Sequence, residues 1–408
     1  MDLRERLKQI HRPEAAGSKS ALLPEPRAWS QESEASSLQQ VRNQYGFCYV
    51  AERSVPLASA HGNVRMEEFA SLSPATFSTA SGDHRFAEFT ADRAIFLDTE
   101  TTGLAGGTGT YVFLLGLGYL RDGAFVVRQY LLPDFSQEAA LLEEYRQLCE
   151  QFSYCVSFNG KSFDLHLLET RLVLARLASG VRSYPHLDLL HVCRSLWKRI
   201  LPDCSLVTLE RRLLQFSRQG DIPQYEIPQR YFSYLRSGDI GWIEPVLRHN
   251  YWDMVSLVGL AVQVGRALQA EPNSFLGADH RGAGRLFVRI GDAEAGAESY
   301  RRAADHAGNS LERFDALEQL ALLYKRQRRR QEAEEIWRRL TADRRYGRLA
   351  AFEELAKIQE HSLRDMAGAL ETVREAEFRL AGRWQSPEIR QRWRRRRERI
   401  GRKIASNF

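Results

Sequence analysis

Arg93-Ala94-Ile95-Phe96-Leu97-Asp98-Thr99-Glu100 is an apolar run that ends in acid. It has the form of a buried strand over 93–99 whose C-terminal edge is polar. Residues i and i+2 of a strand share a face, so Asp98 and Glu100 can converge on one site. Downstream, Thr110–Leu120 and Ala124–Leu132 read as two more strands, joined by the tight-turn signal Arg121-Asp122-Gly123. Leu141, Leu142, Tyr145, Leu148, Cys149 and Phe152 then fall on one helical face. Tyr154–Phe158 returns to strand and Ser162–Leu177 to helix. The order strand, strand, strand, helix, strand, helix predicts a mixed α/β sheet with flanking helices.

The whole chain has 408 residues, 43% hydrophobic and 27% charged, which is ordinary globular composition for two or three domains. Its longest apolar run, Tyr111–Leu120, falls far short of the roughly 20 residues that cross a bilayer, so no membrane association is expected. MDLRERLKQI scatters charge where a signal peptide needs an apolar core. Five cysteines, odd in number and never as CxxC, disfavour disulfides and thiolate zinc and fit a reducing cytoplasm. Residues 383–408 hold ten Lys/Arg against Glu388 and Glu398, a net of +8, and the other 382 residues carry −2.

Five segments follow. Residues 1–44 read as a flexible lead-in and 45–91, with a strand over Phe47–Ala51, as an extension packing on the α/β domain. Residues 92–272 form that domain, whose element order is that of ribonuclease H-like folds. Residues 273–382 read as all-α repeats, and 383–408 as a basic tail able to attract a nucleic-acid backbone. Gly296, Ala333 and Ala369 recur at intervals of 37 and 36 residues, close to the tetratricopeptide period of about 34. Small residues recur where paired helices approach, and aromatics such as Tyr300, Tyr324 and Trp337 fill the gaps.

Three segments carry chemistry. Asp98-Thr99-Glu100 ends the first strand. Phe158-Asn159-Gly160, followed by Asp164, lies where a strand gives way to a helix. His249-Asn250-Tyr251-Trp252-Asp253 leads into an apolar helix and puts His249 and Asp253 on one face. Carboxylates on three elements of one domain are what two hard divalent cations, Mg²⁺ or Mn²⁺, require to clamp the attacking and leaving oxygens of a phosphodiester. His249 suits the base. His186 and Asp188 are assigned a supporting role.

Phe96-Leu97-Asp98-Thr99-Glu100-Thr101-Thr102-Gly103-Leu104 resembles the first motif of the DEDD (DnaQ-like) 3′–5′ exonucleases. Phe158-Asn159-Gly160 with Asp164 resembles the second, and His249-Asn250 with Asp253 the third. The continuation 106–111 (GGTGTY), His186-Leu187-Asp188-Leu189-Leu190, the stretch Leu201–Leu206 and Asp221-Ile222-Pro223 narrow the match. Together they resemble the bacterial YprB-like proteins, which join a ribonuclease H-like exonuclease domain to tetratricopeptide repeats. The resemblance implies Asp98, Glu100, Asp164 and Asp253 as metal ligands, with Thr102, Gly103, Leu104 and Asn159 around the terminal nucleotide of a single-stranded end. His249 stands four residues before Asp253, the tyrosine-subclass spacing with the histidine-subclass identity. The expected function is a metal-dependent 3′–5′ exonuclease, with a protein partner on the repeats. The alternative is a non-catalytic scaffold that binds nucleic acid and protein.

Overall fold

Around Ala94–Thr101 the computed structural model builds a seven-stranded mixed sheet; it describes residues 38–103, 108–177, 183–269, 277–380 and 386–405. The strands are β1 (Gln39–Asn43), β2 (Gly46–Pro56), a separate hairpin of β3 (Ala60–His61) and β4 (Val64–Arg65), β5 (Ala94–Thr101), β6 (Val112–Arg121), β7 (Ala124–Leu131), β8 (Tyr154–Ser157) and β9 (His186–Asp188). Their order across the sheet is β1-β2-β7-β6-β5-β8-β9, antiparallel up to β5 and parallel for β5-β8-β9. The β6–β7 hairpin turns at Asp122 and Gly123, both with positive φ, as the Asp-Gly pair requires.

Helices of eight residues or more are numbered in chain order: α1 (Pro74–Ser81), α2 (Glu138–Cys149), α3 (Asp164–Leu174), α4 (Leu189–Trp197), α5 (Ile227–Ser237) and α6 (Glu244–Gln269) belong with the sheet. Side chains of β5 alternate between two cores. Ile95 and Leu97 pack with α2, α3 and α5, whereas Ala94 and Phe96 pack with α1, α4 and α6. Asp98 and Glu100 continue the Phe96 face and so point towards α6. That helix is buried almost all round from Asn250 to Gly265, as expected of a helix crossing a domain core.

Two expectations need correcting here. Residues 39–43 are no lead-in, because they pair antiparallel with Gly46–Val50; residues 1–37 lie outside the described set. The segment 45–91 does not merely cover the domain. Its β2 is a strand of the sheet, paired with β7, and Phe69, Phe77, Phe86 and Phe89 form part of one core.

The C-terminal region is helical: α7 (His280–Ile290), α8 (Ala293–Asp305), α9 (Ser310–Arg326), α10 (Arg330–Ala342), α11 (Leu349–Ile358), α12 (Met366–Leu380) and α13 (Pro387–Ala405), each packed on the next. Gly296, Ala333 and Ala369 are all buried, and a Cβ on Gly284 would overlap the Tyr300 ring. The stack docks through α7 onto α4 and α1, where Gly282 lies so close to Ser195 O that no Cβ fits. The basic tail is corrected to a helix, since Trp393 and Ile400 of α13 are buried in the core of the stack. All five cysteines are free and buried. Among the described residues no helix is long and apolar enough to cross a membrane.

Candidate metal centre

The acidic segments meet in an open cleft of about 750 Å³ at the C-terminal ends of the parallel strands β5 and β8. This is the edge at which open α/β sheets bind ligands. Asp98, Glu100, Asp164, His249 and Asp253 all line it. Glu100, His249 and Asp253 each bring a ligand atom within 4.8 Å of the other two.

Three of the acids, Asp98, Asp164 and Asp253, are each held by a side chain from another segment. Asn250 of α6 is fully buried and donates from Nδ2 to Asp98 Oδ2 at 2.8 Å. Its Oδ1 accepts from Gln129 Nε2 on β7 at 2.8 Å, and the same amide nitrogen donates to Leu247 O. Only glycine allows this approach, because a Cβ on Gly116 of β6 would overlap the Asn250 amide. Asp164 opens α3 and accepts from the Thr99 hydroxyl. The turn before it is fastened by Asp188, whose carboxylate accepts from the backbone N–H groups of Asn159 (2.9 Å), Lys161 (3.0 Å) and Leu190 (3.1 Å). Asn159 sits there in the left-handed region with φ 67°. His186 takes part through Ser157 Oγ, 2.7 Å away. His186 and Asp188 thus shape the turn that presents Asp164.

The third segment carries a feature that no motif announced. Arg218, with 4% of its side chain exposed, donates to Asp253 Oδ1, to Glu210 at 2.6 Å and to Asp221 at 3.3 Å. His249 Nδ1 lies 2.8 Å from Asp221 Oδ1, and Nε2 lies 3.4 Å from Asp253 Oδ2. Asp221 therefore orients the ring with its other nitrogen towards the acids.

The electrostatics follow from crowding. Burial, reinforced by the neighbouring Asp253 and Asp164, pushes Asp98 well above the usual carboxylate range despite the Asn250 hydrogen bond. Burial and the charges of Asp98, Asp253 and Asp164 do the same to Glu100. Burial raises Asp164 to about 6, against the Thr99 hydrogen bond. Burial disfavours the His249 cation, but Asp253 and the hydrogen bond to Asp221 outweigh it, and the imidazole ends above its ordinary value. Asp98, Glu100 and Asp164 are pushed up together in a cleft whose buried guanidinium is spent on Asp253, Asp221 and Glu210, which leaves these three short of positive charge. The donor set fits a hard divalent cation: the hydrogen bonds named above fall on a single oxygen of Asp98, Asp164 and Asp253, and the ligands are oxygens with one imidazole.

The expected nucleotide contacts divide. Asn159 lines the cleft, together with Phe158 and Phe163. Thr102 and Gly103 are not among its described lining: the Thr102 hydroxyl accepts from Tyr111 N–H at 3.0 Å and closes the loop between β5 and β6. Leu104 lies outside the described residues. Arg218, Gln129 and Gly116 are additions that the sequence did not signal.

Residues 95–264 match the RNase_H superfamily. Over 339 residues the chain is 31% identical to the uncharacterized protein YprB of Bacillus subtilis (strain 168), covering 81% of this chain and 80% of that protein. Among solved structures, the family B DNA polymerase of the hyperthermophilic archaeon Pyrobaculum calidifontis aligns with 57% of this chain and 29% of its own length, at a TM-score of 0.37 and 14% identity.

Proposed function

The chain belongs to the family of Bacillus subtilis YprB, with a ribonuclease H-superfamily domain at its centre, and on that premise we propose that it is a divalent-metal-dependent 3′–5′ exonuclease acting in the cytoplasm on single-stranded nucleic-acid ends. The observation that carries this reading is the crowd of buried carboxylates around Glu100, His249 and Asp253, ionising reluctantly for want of positive charge.

Asp98, Glu100, Asp164 and Asp253 are the residues that would hold two Mg²⁺ or Mn²⁺ ions. When bound, such ions supply the positive charge that offsets the attacking and leaving oxygens of a phosphodiester. The chain's own groups do the rest. His249, oriented by Asp221, accepts a proton from the attacking water at Nε2. Asn250 fixes Asp98 against Gln129, and Thr99 fixes Asp164, so neither acid has to reorganise during the reaction. Phe158 and Phe163 line the cleft, and aromatic side chains are what unpaired bases stack on, which favours a single strand over a duplex.

One observation favours a second reading, a scaffold that binds nucleic acid without cutting it. Arg218 already neutralises Asp253 from within the domain. The test uses DNA and RNA oligonucleotides labelled at the 5′ end, with wild type and Asp98→Ala, in Mn²⁺, Mg²⁺ or EDTA. The expected result is a metal-dependent ladder shortening from the 3′ end and slowed by about 10³-fold or more in the variant, the several kcal/mol that a lost metal ligand removes. Oligonucleotides left intact in both metals would move the assignment to the scaffold.

A further inference from the structure

The half of the chain with the acidic cleft is poorly charged for holding a polyanion. Residues 1–276 carry 28 Lys/Arg against 31 Asp/Glu, whereas residues 277–408 carry 30 against 21. A nuclease needs phosphate-neutralising cations, because backbone contacts supply most of the sequence-independent affinity. Most of the excess positive charge sits on α13, far along the sequence from the cleft.

The packing of α13 decides what that helix can bind. Ile389, Trp393, Ile400 and Ile404 recur at helical spacing and pack into the core of the stack. The basic residues nearest that face are tied down. Arg396 pairs with Glu353, Arg397 with Glu377 at 2.6 Å, and Arg399 and Lys403 with Glu360 at 2.6 and 2.8 Å. The helix is thereby fixed in place and its apolar side is used up. Its outward arc is exposed and polar: Arg390, Gln391, Arg394, Arg395, Glu398 and Arg402. Arg390, Arg394, Arg395 and Arg402 have no acidic partner among the described residues. A membrane-surface helix keeps an apolar face for the bilayer; α13 has none left to offer. What remains is a rigid row of guanidinium groups about 18 Å long, at 1.5 Å per residue from Arg390 to Arg402.

We propose that the outward arginine face of α13 is a second binding surface for the phosphate backbone of a single-stranded nucleic acid, engaging the strand away from the end that enters the cleft. The proposal rests on the nuclease reading for its choice of partner, and its test does not depend on cleavage. Guanidinium groups bind phosphate oxygens through paired N–H donors without reading a base, so the surface is indifferent to sequence.

The experiment uses the full chain in EDTA, where no cutting occurs, and follows the anisotropy of fluorescein-labelled 30-nucleotide DNA and RNA strands from 50 to 300 mM KCl. The variant carries Arg390→Gln, Arg394→Gln, Arg395→Gln and Arg402→Gln. A control of equal charge change carries Arg285→Gln, Arg326→Gln, Arg330→Gln and Arg339→Gln, all exposed on other helices of the stack. The α13 variant should bind at least tenfold more weakly at 50 mM salt. Its plot of log affinity against log salt should flatten by about 3, at roughly 0.7 for each phosphate that the variant no longer neutralises, while the control keeps most of the wild-type slope. Unchanged affinity and slope, or an equal loss in the control, would overturn the proposal. So would a labelled polyglutamate peptide that binds as tightly as the strand and is lost with it, since the partner would then be an acidic protein. Strands held through α13 but never cut in Mn²⁺ would defeat the nuclease reading and leave this surface standing.

Discussion

Glu100 in the sheet domain and Glu360 in the helical stack are the same residue type and both nearly covered, 7% and 2% exposed, though Glu100 lies deep in the domain and Glu360 beneath half-exposed basic side chains. Their chemistry is opposite. Around Glu360, burial opposes ionisation, but Arg399 and Lys403 close on the carboxylate, and the pKa falls to about 2. Around Glu100, burial is joined by Asp98, Asp253 and Asp164, the Arg218 charge does not compensate, and the pKa rises. The stack meets the charge of Glu360 locally, which is what structure alone requires. The cleft leaves a shared deficit of positive charge, of the kind that a bound cation would offset.

The largest effects that test this contrast come from the residues that hold the acids in place. Gly116→Ala puts a methyl group where the Asn250 amide lies, and Asn250→Ala removes the donor to Asp98. Each should lower the rate of cleavage by about 10–100-fold, the usual cost of losing a residue that orients a metal ligand. Gly123→Ala, with nothing near its Cβ, strains only a turn with positive φ and should leave the rate within a few-fold. Equal rates for wild type and the Gly116 variant would mean that the Gln129–Asn250–Asp98 chain orients nothing.

In the stack, Glu360→Gln removes a paired charge. Arg399 and Lys403 stay nearly half exposed, so water recovers part of the loss, and the expected cost is about 1–3 kcal/mol at pH 7. The sign with pH follows from the depressed pKa. The folded state holds the proton less tightly than the unfolded chain, so the stabilisation is full above the unfolded value near 4.5 and disappears as pH falls towards 2. Urea titrations of the two proteins should differ most from pH 6 to 8 and converge in acid. A gap that widens in acid would show that Glu360 is not held as an ion.

Much of this architecture was readable from local pattern. The strand ending at Asp98, the hairpin at Asp122-Gly123, the amphipathic α2 and the apolar α6 announce themselves within a dozen residues each, because their periodicity is local. What escaped depends on distant pairing. Phe47–Ala51 reads as a strand, but the rest of β1 and β2 is irregular in sequence, and the pair becomes a sheet edge only through β7. Arg218 is one of 58 Lys/Arg, and nothing nearby marks the one that folds onto Asp253. In α13 the run of arginines masked the apolar spacing of Ile389, Trp393, Ile400 and Ile404, so a packed helix read as a tail. Thr102 matched a motif in sequence, while its hydroxyl is spent on Tyr111.

The smallest effect has the most discriminating sign. Replacing a buried acid normally destabilises a protein, yet Glu100→Gln should stabilise this one when no metal is present. The raised pKa means that the folded state binds the proton more tightly than the unfolded chain. Its contribution is full below about 4.5 and is lost as pH rises through the folded value, so above 4.5 the metal-free wild type bears the cost of either ionising Glu100 among the other acids or keeping it protonated. Gln removes that cost in nearly the same shape. A gain of about 1 kcal/mol raises the melting temperature by roughly 2–4 °C for a domain of this size. Millimolar Mn²⁺ should reverse the order, because a cation that binds only the folded state stabilises wild type more than a variant lacking a ligand. A Glu100→Gln protein that melts below wild type in EDTA would mean the acids are already compensated within the fold, as Glu360 is, and the contrast between the two halves would fail.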